Sequence, residues 1–139
     1  MEDLIIQHKY LDISELYPHE EVLLERKKSL TKYLKTNYEE IIIPSILVCS
    51  KSNMIIDGHH RYFTLMEFGC KKIPVTLIDY FDERIITHSE LKLSIPKKEL
   101  IDLCQQNILR PPKSSIHRIK TSEAKSLPII LLSKLSLIQ

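Results

Sequence analysis

The stretch Met54-Ile55-Ile56-Asp57-Gly58-His59-His60-Arg61-Tyr62-Phe63 constrains this chain more than any other. A short apolar run ends at Asp57-Gly58. An amphipathic period opens at once with Tyr62, Leu65 and Met66, and closes at Phe68-Gly69. The pattern predicts strand, tight turn, helix. Gly58 is one of only two glycines in the chain, so it is expected where a side chain would obstruct. His59, His60 and Arg61 crowd the first turn of the helix. There, unpaired N–H groups and a partial positive charge suit an anion. Arg61 adds a planar fork that can grip phosphate with two hydrogen bonds. The same residues also allow an ordinary Asp-Gly turn and a solvated helix start. A strand–Gly–helix junction alone decides only weakly between the two.

With 139 residues the chain reads as one domain with a real core. A hydrophobic fraction of 43% and a charged fraction of 27% are those of a globular protein in water. A net charge of +2 gives no electrostatic case for nucleic acid. Cys49, Cys70 and Cys104 are scattered, with no CxxC pair and no metal signature. They read as reduced thiols of a cytoplasmic protein. Glu2 and Asp3 carry the wrong charge for a signal peptide, and the apolar run Leu127 to Leu132 is too short to span a bilayer.

Along the chain, Lys9 to Ile13 alternates as a strand, and Leu16-Tyr17-Pro18 breaks it. His19-Glu20-Glu21 then leads into a helix through about Lys35. Leu23, Leu30, Tyr33 and Leu34 are expected on its inner face, with Arg26, Lys27 and Lys32 facing water. Glu20 sits at a helix-start junction, where an acidic residue also favours the helix dipole. Glu21, a helical step of about 100° further on, would turn away from it. Ile41–Ile43 and Ile46–Val48 flank Pro44 as a bent strand, and Lys51-Ser52-Asn53 turns into Met54–Ile56. Ile73–Ile78 and Arg84–Thr87 predict further strands. Pro96 starts a helix with Leu100, Ile101, Leu103, Cys104 and Ile108 as its apolar face. Arg110-Pro111-Pro112-Lys113-Ser114-Ser115-Ile116-His117-Arg118 is stiff, basic and rich in hydroxyls. On composition it reads first as a surface connector. From Ser122 onward, polar spacers mix with Leu and Ile, which suits either a cover for the core or an oligomer contact.

Taken together, Leu-Tyr-Pro-His19-Glu20, Ile-Ile-Pro-Ser-Ile-Leu-Val, Asp57-Gly58-His59-His60-Arg61 and Gly69-Cys-Lys-Lys-Ile-Pro-Val resemble the ParB/sulfiredoxin-like superfamily. The Asp-Gly-His-His-Arg form and the His-Glu pair are most similar to its free L-serine kinases, which make O-phospho-L-serine. The resemblance covers about residues 8–80. Pro111-Pro112-Lys113-Ser114-Ser115-Ile116-His117 is similar to a late segment that family members use near the amino-acid substrate. Ser115 stands where relatives carry threonine, and Ile116 where many carry a basic residue. Partitioning ParB proteins carry a Gly-Glu-Arg-Arg type loop and a downstream DNA-binding domain. Sulfiredoxins place a cysteine where His59 stands.

The resemblance implies an α+β fold, a small mixed sheet with packed helices. Residues 1–95 would form the nucleotide-binding part, and 96–139 the C-terminal helix, substrate loop and tail of the same domain. It implies phosphoryl transfer from ATP or ADP, with Mg2+, to the hydroxyl of free serine. Glu20 would take the hydroxyl proton, and Asp57 would orient the hydroxyl or hold the metal through water. Gly58, His59, His60 and Arg61 would bind phosphate, while Lys113, Ser115 and His117 would address the amino acid. The partners implied are L-serine and a nucleotide, with no membrane, no case for nucleic acid, and a homodimer left open. The competing reading is a ParB-like module that binds nucleotide without transferring phosphate, or one associated with DNA. Such a module would have no use for Glu20.

Overall fold

The computed structural model describes residues 1–36 and 40–138. Strand β1 (Ile5–Asp12) runs antiparallel to β5 (Lys72–Ile78), and β5 runs parallel to β3 (Ile46–Cys49). β3 turns back antiparallel into β4 (Ile55–Asp57), completing a mixed sheet in the order β1-β5-β3-β4. The parallel pair needs a crossover, and helix α2 (His59–Glu67) supplies it. The chain is α+β.

Strand alternation explains how the sheet is covered on both sides. Ile46, Val48, Ile55, Ile73 and Val75 join a cluster with Tyr62 and Leu65 of α2 and Leu34 of helix α1 (Leu24–Thr36). Leu47, Cys49, Met54, Ile56 and Ile78 enter a second cluster with Leu100, Ile101 and Cys104 of helix α3 (Lys97–Gln105). Both faces are apolar because both are buried. α1 presents a thinner apolar stripe than its pattern promises. Leu34 is buried, but Tyr33 is exposed and Leu23 precedes the helix, exposed as well. Lys27 turns inward to pair with Glu67 of α2.

A second, antiparallel sheet joins β6 (Ile85–His88), β7 (Ile116–Ser122) and β8 (Lys125–Pro128) in that order. Ile116, His117 and Arg118 therefore open a strand and do not belong to the loop before it. Their turn-rich neighbours hide a period of two, which places His117 and Ile119 inward and Ile116 and Arg118 outward. In α3 the expected face holds at Leu100, Ile101 and Cys104, whereas Ile108 lies beyond the helix and is exposed. The tail covers the core: Ile129 and Leu132 are buried. Strand β9 (Leu135–Leu137) pairs with β2 (Ile42–Pro44) as a two-stranded ribbon. Cys49, Cys70 and Cys104 are free thiols. No helix of the described residues is long and apolar enough to cross a membrane.

Candidate active site

The loop between β4 and α2 has the strand–turn–helix form read from its residues. Gly58 takes φ +109°, a left-handed conformation that side chains disfavour, and no side chain caps the helix behind it. At the other end Gly69, at φ +78°, closes the helix, with Cys70 N–H bonding back to Leu65 O at 3.0 Å. Arg61 lies underneath Gly58. Its Nη2 donates to Ser45 O at 3.3 Å and stands 3.6 Å from Asp57 Oδ2. The guanidinium braces the loop from below, and its exposed part lines a cleft of ≈ 370 Å³ with Arg118 and Pro128–Ile130.

Facing the loop is Glu20. Its segment is not helical: α1 begins four residues later, so the carboxylate is no partner for that helix's dipole. The segment is bridged instead to Arg110, which donates its N–H to His19 O and accepts that of Glu21, both at 2.8 Å. This lays Glu20 against the Pro111–Ser115 turn. Lys113 N–H donates to Glu20 Oε1, and the Ser115 hydroxyl donates to Oε2 at 2.7 Å. Lys113 adopts φ +57° to present that N–H, a strained posture for a residue with a side chain. Burial raises the Glu20 pKa above its ordinary value, although these donors pull the other way.

Glu20, Asp57, Gly58, His59, His60, Lys113, Ser115 and His117 line one cleft of ≈ 410 Å³, into which Arg26 and Glu90 also reach. The two clefts share Arg26, Asp57, Gly58, His60, Ile116 and His117. Arg26 is exposed, as expected, and borders both clefts. No sequence signal marks it among the neighbouring lysines. The late segment does come to the site, but its members differ in role. Ser115 is engaged by Glu20 and by His19 Nε2 at 3.1 Å, and His117 is buried with Nε2 against the Tyr80 hydroxyl at 2.9 Å.

Three imidazoles are packed behind the cleft. The His19 ring stands edge-on to His59 at 4.6 Å and to His117 at 6.0 Å. Burial lowers the His19 pKa to about 4, and lowers those of His59 and His117 well below the ordinary value. Unfolding frees these rings to bind protons near pH 6.5, which the folded protein resists. Stability is therefore whole above about pH 6.5. It should fall below that by about 1.4 kcal/mol per pH unit for each histidine. Glu20 offsets part of this, because a raised carboxyl pKa favours the folded state as pH drops. Urea midpoints should fall clearly from pH 7 to pH 5, and a flat profile would contradict the neutral cluster.

No family model matches the chain. It is 35% identical over 79 residues to an ATP-dependent L-serine kinase of Staphylothermus marinus, covering 54% of this chain and 31% of that protein. It is 29% identical over 96 residues to a ParB-like protein of Sulfolobus acidocaldarius, covering 69% and 47%. The chain thus spans about a third to a half of the curated relatives it matches. A glutamate-to-glutamine mutant of a free serine kinase, solved in complex with AMP, superposes with a TM-score of 0.70. That match is 11% identical and covers 81% of this chain and 88% of that one. The fold is the ParB/sulfiredoxin-like one that the motifs implied.

Proposed function

We propose that this domain transfers a phosphoryl group from ATP or ADP to the hydroxyl of free L-serine, giving O-phospho-L-serine. The observation that carries the reading is the buried Glu20 carboxylate, with its raised pKa, standing across one cleft from the Gly58 loop. Phosphoryl transfer asks a protein chiefly to position the phosphates and orient the nucleophile. The N-terminus of α2 offers backbone N–H groups to the phosphates. The serine oxygen forms its bond to the terminal phosphorus as the bond from phosphorus to the nucleotide oxygen breaks. The hydroxyl proton passes to Glu20. Lys113 at the rim gives the serine carboxylate a cation.

Asp57 is the carboxylate on the loop side of the cleft. Among the described residues no group of three or more His, Cys, Asp or Glu could cage a metal. That fits Mg2+, which binds through one or two carboxylates, substrate phosphates and water. When bound it would neutralise phosphate charge, with Asp57 as its protein ligand. Free nucleotide, free serine and three free thiols support a cytoplasmic setting for the reaction.

The test is incubation with ATP or ADP, Mg2+ and L-serine, followed by phosphorus NMR. A phosphomonoester signal that depends on serine is expected. Nucleotide binding without that signal would favour the binding-module reading, which the ParB-like relative keeps open. Absence of nucleotide binding would sink both.

A further inference from the structure

The two histidines of the central motif already have partners, and both partners lie on the segment that carries Glu20. His59 Nε2 accepts the backbone N–H of His19 at 3.0 Å. His60 Nε2 accepts the backbone N–H of Leu23, also at 3.0 Å. These amides bracket Glu20, one residue before it and three after. The segment is neither helix nor sheet here, so its N–H groups have no regular ladder to join. His19 is fully buried, and an unmet amide there would be costly. A ring nitrogen accepts only when it carries no proton, so each neutral ring must hold its proton on Nδ1.

We infer that His59 and His60 form a two-point clamp that positions the Glu20 segment, and that they do not ligate phosphate through Nε2. The two rings are consecutive residues in the first turn of α2, directly behind Gly58. One rigid element therefore carries both the phosphate loop and the fastening of the base on the opposite wall. On the other side, the Pro111–Ser115 turn fixes the carboxylate itself through Lys113 N–H and Ser115 Oγ. The Glu20 backbone is thus tied to α2 and its carboxylate to the turn opposite, which together fix the base across the cleft from Gly58. That the positioned group is a base rests on the kinase reading above. The clamp itself does not.

Two side-chain amides separate the roles at His60, which is only partly buried and tolerates change better than His59. Glutamine can place an oxygen near the position of Nε2, whereas asparagine reaches only to that of Nδ1. The clamp predicts that His60→Asn lowers kcat about tenfold with nucleotide affinity unchanged, and that His60→Gln restores most of the loss. A phosphate contact through the ring would instead weaken nucleotide binding in calorimetry, and that result would overturn the clamp. Long-range proton–nitrogen NMR of the unliganded protein reads it without any assay. Protonated Nδ1 and bare Nε2 are expected for both rings, and a proton on either Nε2 would overturn it. If the wild type makes no phosphoserine, the kinase reading fails while the ring spectra still decide the clamp.

Discussion

Glu20→Gln is expected to lower turnover by about 10²–10⁴-fold while nucleotide affinity survives, the signature of a lost general base. Glutamine keeps an oxygen to accept from Lys113 N–H, and its NH2 can donate to the Ser115 hydroxyl oxygen in place of accepting from it, so the turn opposite should stay in place. What it cannot do is take the serine proton. Because burial raises the Glu20 pKa above 4.5, the acid limb of the wild-type rate profile should lie above the ordinary carboxyl range. Glu21 is the control. It is exposed, and its tie to Arg110 runs through its backbone, so Glu21→Gln should be nearly silent. Turnover in Glu20→Gln close to wild type would remove the base assignment. A greater loss in Glu21→Gln would move it by one residue.

Gly58→Ala carries the second large effect, this time on the fold of the loop. An added Cβ would meet Arg61 Nη2 at 2.8 Å, Arg61 Cζ at 3.2 Å and Ile46 Cγ1 at 3.3 Å. Side chains usually yield at their far ends, but this guanidinium is held by Ser45 O and Asp57. Displacing it adds the loss of a charged hydrogen bond to the left-handed backbone penalty, about 2.5–5 kcal/mol together. Gly69→Ala isolates the first part. Gly69 also has positive φ, yet nothing lies within 4 Å of the added carbon. It should lose only about 1–2 kcal/mol. Urea unfolding of the two variants side by side measures the difference, and equal losses would show that Arg61 does not brace the loop.

Local pattern carried far in this chain, and its misses share one cause. The β4–Gly58–α2 junction, the Pro44 break, β5 and the α3 face follow from alternation, helical period and turn residues within short windows. Glu20 was visible as a candidate but was put at a helix start. His19 and Glu20 are instead bridged to Arg110, a contact ninety residues away in the chain that no local window contains. Ile116–Arg118 looked like a loop because two prolines precede it, yet β6 and β8 recruit it as the middle strand of a sheet. Arg61 read as a phosphate fork, since residue type and helix position were all that spoke for it. Its guanidinium also donates to the Ser45 carbonyl beneath Gly58, a contact across the chain that no local window contains.

The residues by themselves determined which stretches are strand and helix, where Gly58 must bend, and which side chains could do chemistry. They also pointed to the fold, because the motifs that imply it are contiguous. Only the tertiary structure decided what each group touches. Hydrogen-bond partners, burial and pKa come from segments brought together across the chain, and none of these is encoded in the spacing of neighbours. His59 and His60 show the division. Their place at the head of α2 is written in the sequence. Their bonds to His19 and Leu23 exist only once the two segments have met.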